Sequence, residues 1–449
     1  MKCPMTRLLL FAAALMAVAC SQSATPQAAF AGRNVVMIVM DTTRFDHLGL
    51  YGYPKDTTPF LDSLADDAVV FDKAYSGSSW TAPATASMFT SVYPDQHGVV
   101  SGYFFYQRAN EKDPELHLNQ LPDRIETLPE MMKAAGYRTF CLADNQNICE
   151  RVGFSRGFDR FSSYSYRGGA ELTDEVLGWK DELLDADSPY FLYMQYMDPH
   201  KPYHAQEPYY DVEGTVAKGF LKPAARYDSE LRYTDELLRR LFDELEIGPN
   251  TLVIVTSDHG EEFGDHGQTG HDQGLHEELV HVPFFVVGRD AAGKLDFEPG
   301  RVSRHVSTLD VMPTLRELLD QPAAEFAEGL SVADALWGER TEPVGGERPV
   351  FSHRASEMMG KKREFYSVNM GPWQLILNPE TGARQLFNVD KDPGTQKDLA
   401  KVRPHVLERL LEELRGFRFR PMEFDRQYAD PLILDQEAQD ELGRLGYSE

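Results

Sequence analysis

The run Thr251-Leu252-Val253-Ile254-Val255-Thr256 is apolar at its centre without interruption, and it stops abruptly on Ser257, Asp258 and His259. A strand with one wet face alternates apolar and polar side chains, whereas a continuous β-branched run calls for burial on both faces. That means a sheet covered on both sides, which is an α/β arrangement. Gly260 then permits a sharp turn. A carboxylate and an imidazole thus stand side by side at a strand's carboxyl end, where open α/β sheets bind ligands. The run from Val35 to Met40 repeats this design and delivers Asp41. Two strands ending this way can converge on one hard cation, to which Asp41, Asp258 and His259 offer two oxygens and a nitrogen. Such a set suits Ca²⁺, Mg²⁺, Mn²⁺ or Zn²⁺, the imidazole tilting it toward the transition metals.

Strand-like runs also span Thr139 to Ala143, Tyr190 to Met197 and Phe284 to Val287. Helical periodicity falls between them, at Thr58 to Ala68, Ile125 to Ala135, Leu172 to Leu184, Ala225 to Leu245 and Leu309 to Leu319. The alternation predicts a central mixed sheet flanked by helices over residues 34–340. Beyond about Arg340 the character changes. Short strand candidates at Pro349 to His353, Glu364 to Asn369, Trp373 to Asn378 and Arg384 to Val389 are separated by turn residues. A helix follows at about Pro404 to Leu414. Residues 341–449 therefore read as a small antiparallel sheet subdomain with a covering helix, and a charged tail that wraps back over the main domain.

Lys2 and Arg7 precede an apolar stretch from Leu8 to Val18, too short to span a bilayer and of the size of a signal segment. It ends Ala17-Val18-Ala19-Cys20, which is similar to a bacterial lipoprotein signal with Cys20 as the lipidated first residue. The alternative is an ordinary signal cut near Ala19 or Ala24. Residues 21–33 read as a tether. The expectation is export and lipid anchoring at the cell envelope, in the periplasm or at the cell surface. In an oxidising compartment a Cys141–Cys149 disulfide is open, and so are two separate thiols. With 71 acidic against 45 basic side chains, the net charge of −26 argues against nucleic acid as a partner.

The stretch Ser78-Ser79-Trp80-Thr81-Ala82-Pro83 reads as a turn opening into a helix, with proline where a missing N–H is harmless. Thr81 is then either a helix N-cap or a hydroxyl nucleophile activated by a metal. The acidic pair Glu261-Glu262 reads as a solvated loop edge. His47, His97, His276 and His281 read as packing or surface histidines, and Tyr103 to Tyr106 as either packing or a groove lining.

Taken in order, these segments resemble the sulfatase branch of the alkaline phosphatase superfamily. The resemblance rests on Asp41-Thr42-Thr43-Arg44, Thr81-Ala82-Pro83-Ala84-Thr85, Met197-Asp198-Pro199-His200, Ser257-Asp258-His259-Gly260, Gly264-Asp265-His266-Gly267 and Gly270-His271. It runs from about Asn34 to Pro404. It implies the alkaline phosphatase/sulfatase-like fold and a divalent metal, one ion rather than two, held by Asp41, Thr81, Asp258 and His259. It implies substrate contact or leaving-group protonation by His200 and His271, with a second cation at those residues and Asp198 as the alternative. Asn145, Asp198 and His266 become candidate substrate-binding residues.

The departures decide the chemistry. Thr81 stands where family sulfatases carry the Cys or Ser that becomes formylglycine, a route closed to threonine. Ala84 and Thr85 replace the family's Ser and Arg, and Thr42 replaces a second carboxylate. The superfamily's phosphodiesterases and phospho-group transferases use a threonine nucleophile, and this chain matches their pattern at Asp41, Thr81, Asp258 and His259. The expectation is a phosphate or phosphodiester hydrolase acting through Thr81 on a small-molecule, glycan or lipid ester. The alternatives are a sulfuric ester hydrolase acting without formylglycine, on sulfated glycans or aryl sulfates, and a non-catalytic glycan-binding lipoprotein.

Overall fold

Eight strands form the main sheet: β1 (Asn34–Met40), β2 (Val69–Tyr75), β3 (Arg138–Ala143), β4 (Arg160–Ser163), β5 (Tyr190–Tyr196), β6 (Thr251–Thr256), β7 (Phe284–Arg289) and β8 (Gly300–Ser307). Their spatial order is β8-β2-β7-β6-β1-β5-β3-β4. The computed structural model describes residues 30–110, 116–184, 188–210, 221–271, 273–339, 347–358 and 361–429. The signal segment, Cys20, residues 21–29 of the tether and the chain beyond residue 429 lie outside the described residues.

Along β1 the side chains divide by parity. Val35, Met37 and Val39 enter one core, and Val36, Ile38 and Met40 enter the other. Period-two alternation thus serves two apolar layers rather than one. On one face lie α1 (Pro59–Ala65), α4 (Gly169–Leu177) and the long α5 (Leu221–Leu245), which contribute Leu61, Leu172, Val176, Leu231, Leu238 and Leu241. On the other lie α2 (Thr81–Thr90), α3 (Leu128–Ala134) and α6 (Val311–Leu318), with Phe89, Met131, Met132 and Leu315. A capping box between Thr127 and Glu130 fixes the start of α3.

Strands β6, β1, β5, β3 and β4 run parallel. Strand β7 is antiparallel to both β6 and β2, so β2 points the same way as the central strands. The segments after β1, β2, β3, β5 and β6 therefore leave from one edge of the sheet. This mixed sheet is the expected one, with three strands the apolar-run criterion passed over. Strands β4 and β8 are edge strands carrying Arg160, Arg301 and Arg304, as open edges commonly do. Asp72 and Lys73 interrupt β2.

The C-terminal sheet is a sequential antiparallel set, β9 (Val350–Met358), β10 (Lys361–Met370), β11 (Trp373–Leu377) and β12 (Arg384–Asn388). Helix α7 (Pro404–Arg418) covers it through Leu410, Leu411, Leu414 and Phe417. Its first strand docks on the segment after β2: His353 N donates to Gly77 O at 2.9 Å and Ser352 Oγ to Ser76 O at 2.7 Å. The chain then returns over the main domain, where Gln427 and Tyr428 pair with Gln120 and Asn119. At the other end, Phe30 is already packed, stacked on Phe297 with centroids 5.3 Å apart, so the tether expected to run to residue 33 is fixed from residue 30. Cys141 and Cys149 are free thiols, each with its pKa raised by burial, so no disulfide joins them. Among the described residues no helix is long and apolar enough to cross a membrane.

Candidate active site

Asp41 follows β1, and Asp258 and His259 follow β6, its direct neighbour. Their ligand atoms lie within 4.8 Å of one another, and all three residues are fully buried. Asp41 Oδ2 accepts from Asn145 Nδ2 and from Gln195 Nε2, each at 2.8 Å. Among the described residues Asp41 Oδ1 has no hydrogen-bond partner. Asp258 Oδ1 accepts from His259 N at 2.9 Å and Thr42 N at 3.3 Å, and its Oδ2 from Gln195 Nε2 at 3.2 Å. Burial, and for Asp41 the neighbouring Asp258 charge, push these carboxyls up to about 6 and about 7. Two ionised carboxylates this close and this dry need a compensating positive charge.

The imidazole supplies the third donor. His259 Nδ1 is 2.9 Å from Gly260 O. A carbonyl can only accept, so Nδ1 carries the hydrogen and Nε2 is left bare. Burial lowers the pKa of the ring and keeps it neutral. The bare Nε2 lies 3.9 Å from Asp41 Oδ1, 3.7 Å from Asp258 Oδ2 and 3.3 Å from Thr81 Oγ1. An orphaned carboxylate oxygen, a second buried carboxylate and a bare ring nitrogen fit a divalent cation.

Thr81 is the first residue of α2, and the N-cap is Trp80, which makes no side-chain cap bond. The Thr81 hydroxyl is not spent on capping. It turns to the cluster, 3.3 Å from both His259 Nε2 and Asn145 Nδ2, and the residue is 2% exposed. Thr42 has its backbone in the left-handed region, φ 53°, and its hydroxyl bonds back to Asp41 O at 2.8 Å. It contributes an N–H to Asp258 where a carboxylate was missing.

His200 and His271 meet beside this cluster, Nε2 to Nε2 at 3.2 Å. Both Nδ1 atoms face carbonyls, Lys201 O at 2.5 Å and Ser79 O at 3.3 Å, so both carry hydrogens. The two Nε2 lone pairs then oppose each other until one proton is shared between them. Burial lowers both pKa values, that of His271 furthest. The Tyr166 hydroxyl, 2.7 Å from His200 Nδ1, braces the pair.

The other two candidates, Asp198 and His266, each have a local hydrogen-bond partner. Asp198 Oδ1 accepts from Gly169 N at 3.1 Å, at the first turn of α4, so the carboxylate holds a helix start. His266 bonds Glu278 Oε1 at 2.7 Å and Thr395 O at 3.1 Å, which ties its loop to the C-terminal region. The Glu261-Glu262 pair is not a solvated edge, because the hairpin after Gly260 folds both residues inward. Glu261 is fully buried, accepts from Tyr203 Oη at 2.6 Å, and burial lifts its carboxyl to about 8. Glu262 Oε1 accepts from His266 N and Gln268 N, both at 2.8 Å. His47 and His281 are buried, with Nδ1 at 2.7 Å from Asp228 Oδ1 and 3.0 Å from Glu277 Oε2, and His97 is buried against Ser87 Oγ. Tyr106 is packed in the core. Sequence reasoning missed Gln195, which bridges Asp41 and Asp258. The signal available was a lone amide inside an otherwise apolar and aromatic strand.

A doubly covered sheet that gathers buried carboxylates, histidines and a hydroxyl at one edge defines an α/β ester-hydrolase architecture. The chain belongs to the Sulfatase family, whose pattern matches residues 33–321. It is 25% identical over 402 residues to the N-acetylgalactosamine-6-sulfatase of Canis lupus familiaris, covering 76% of this chain and 72% of that protein. It is 22% identical over 437 residues to the Delta 4,5-hexuronate-2-O-sulfatase of Bacteroides thetaiotaomicron, covering 82% and 84%. The solved structure of the phosphonate monoester hydrolase from Silicibacter pomeroyi superposes with a TM-score of 0.70 at 20% identity, covering 87% of this chain and 96% of that one. The protein is thus a Sulfatase-family hydrolase acting on ester bonds, and enzymes of this family generally depend on a divalent metal.

Proposed function

We propose that this chain hydrolyses phosphate or phosphodiester bonds through Thr81 Oγ1. The observation that carries the reading is the placement of that hydroxyl. It is buried, free of capping duty, and 3.3 Å from a bare ring nitrogen of the candidate metal cluster. Asp41, Asp258 and His259 would hold one divalent cation with Thr81 beside it; when bound, that ion supplies Lewis acidity that lowers the hydroxyl's pKa.

The residues then divide the work. Asn145 fixes Thr81 Oγ1 and Asp41 together. Thr81 passes its hydroxyl proton to the opposed Nε2 lone pairs of His200 and His271 as it forms the Oγ1–P bond, and takes one back from the same pair when that bond breaks. The P–O bond to the leaving alcohol breaks, and that oxygen takes the proton shared by His200 and His271. Water attacks the phosphothreonine, returns a proton to the pair, and releases phosphate and the free threonine. Placement of Thr81 at the start of α2 directs backbone N–H groups toward the charge that builds there.

A second reading, sulfate ester hydrolysis, is favoured by the names of the curated relatives, among them sulfatases for hexuronate and N-acetylgalactosamine. The lost formylglycine precursor at Thr81 argues against it. Export and lipid anchoring through Cys20 complete the proposal.

The test is turnover of aryl phosphate, methyl aryl phosphate and aryl sulfate by protein lacking residues 1–20, with Ca²⁺, Mg²⁺, Mn²⁺ and Zn²⁺ supplied separately. Thr81→Ala is expected to lower phosphoester turnover by more than about 10³-fold, a barrier increase of about 4 kcal/mol. Sulfate turnover that exceeds phosphate turnover, or survives in Thr81→Ala, overturns the reading.

A further inference from the structure

Two buried amides hold Asp41: Asn145 Nδ2 and Gln195 Nε2 both donate to its Oδ2 at 2.8 Å. An ionised carboxylate only accepts, so an amide that turned over would set its own oxygen against those of the carboxylate. Each amide therefore needs a donor that pins its oxygen on the far side. For Asn145 that donor is backbone, with Asn147 N reaching Oδ1 at 3.0 Å. For Gln195 it is a side chain, the Tyr193 hydroxyl, which donates to Oε1 at 2.5 Å. A primary amide carries two N–H groups. Those of Gln195 reach Asp41 Oδ2 and, at 3.2 Å, Asp258 Oδ2.

The sequence spacing makes this possible. Tyr193 and Gln195 stand two apart on β5, so alternation puts them on one face, and both are fully buried. Strand β5 lies between β1 and β3, where Tyr193 pairs with Met37 and Cys141, and Gln195 with Val39 and Ala143. The Phe89 ring of α2 meets the Tyr193 ring edge-on, centroids 4.9 Å apart, and fixes its direction. The phenol is thus held by the centre of the sheet, and Gln195 carries its direction to the two strand ends that bear Asp41 and Asp258. With Asp41 Oδ2 occupied by both amides, Oδ1 is the oxygen left to offer a cation.

We propose that Tyr193 is a positioning residue for the candidate cation site: its hydroxyl locks the Gln195 amide with one N–H on each carboxylate. The proposal rests on the cation reading of Asp41, Asp258 and His259. Tyr193 acts on the carboxylates through Gln195. Without the hydroxyl the amide turns freely, and in one of its two settings its oxygen repels both carboxylates and spreads them.

The experiment is a calorimetric Mn²⁺ titration of four proteins: the parent, Tyr193→Phe, Gln195→Leu and the double variant. Tyr193→Phe is expected to weaken Mn²⁺ binding by about tenfold, the scale of losses behind metal ligands. The double variant is expected to bind within about twofold of Gln195→Leu, because residues acting in one chain are not additive. Unchanged affinity in Tyr193→Phe overturns the proposal. So do losses that multiply in the double variant, which would mark Tyr193 as a core residue acting by packing. A second measurement needs no Tyr193 variant. In parent protein labelled with ¹⁵N-glutamine, the Gln195 side-chain signal is the one absent from Gln195→Leu. Both of its protons are expected to shift as Mg²⁺ is added, and stationary protons overturn the proposal whether or not Tyr193→Phe folds. A parent that binds neither ion overturns the cation reading and this proposal together, whereas a binding parent matched by Tyr193→Phe overturns this proposal alone.

Discussion

Among the described residues there are two trios of carboxylate and imidazole side chains, each with its ligand atoms within 4.8 Å of one another. One is Asp41, Asp258 and His259; the other is His266, His276 and Glu278. By residue type either could hold a metal. Their hydrogen bonds separate them. In the first, Asp41 Oδ1 has no partner among the described residues and His259 Nε2 is bare toward the carboxylates. In the second, His266 spends Nδ1 on Glu278 and Nε2 on Thr395 O. The rings of His266 and His276 stack with centroids 3.7 Å apart and planes 11° from parallel. A ring nitrogen binds a cation in the plane of its own ring, so two parallel rings cannot share one. His276 Nε2 has no partner among the described residues, but its ring plane lies parallel to that of His266. Proximity of the right donors does not make a metal centre; convergence of unspent lone pairs does.

The sharpest way to break this comparison is Asp258→Asn. It removes a charge from the first trio with little change of shape, and Mn²⁺ affinity measured calorimetrically should fall by more than about a hundredfold. An unchanged affinity would dissolve the distinction between the trios. Gln195→Leu should have the next largest effect. Gln195 donates to both carboxylates, so its loss lets them rotate apart, and changes of this kind behind metal ligands cost about 10–100-fold in affinity. Equal Mn²⁺ affinity in Gln195→Leu and the parent would mean that the carboxylates need no such bridge.

The same contrast explains what was legible in the sequence. A buried parallel strand writes itself as an apolar run, and the residue after the run is delivered to the sheet's edge. Asp41, Asp258 and His259 could be read that way, and so could the doubly covered sheet. Asp198 follows β5 by the same logic, and one of its oxygens, Oδ1, also holds the start of α4, which nothing local in the sequence says. Gln195 and Glu261 were not legible for a different reason. Each is a polar residue buried by distant partners: Gln195 by two loops, Glu261 by Tyr203. Thr81 was ambiguous because an N-cap and a nucleophile use the same hydroxyl at the same end of a helix. Only the direction of Oγ1, away from its own backbone and toward His259, separates them.

The smallest effect on metal binding, and the clearest signature of the second trio, belongs to His266→Gln. Mn²⁺ affinity should stay within about threefold of the parent, while stability falls by about 1–2 kcal/mol through loss of a hydrogen bond between charged partners. The pH dependence has a definite sign. Burial alone would lower the His266 pKa, but the hydrogen bond and charge of Glu278 outweigh it and lift the ring to about 9. A histidine with a folded pKa above its unfolded value of about 6.5 stabilises fully below that value and loses the contribution as pH rises through the folded one. Thermal unfolding at pH values from about 6 to about 9 should therefore show the parent losing stability faster than His266→Gln. Parallel curves would mean that His266 is neutral throughout, which would return its ring nitrogens to the pool of possible metal ligands and blur the line between the two trios.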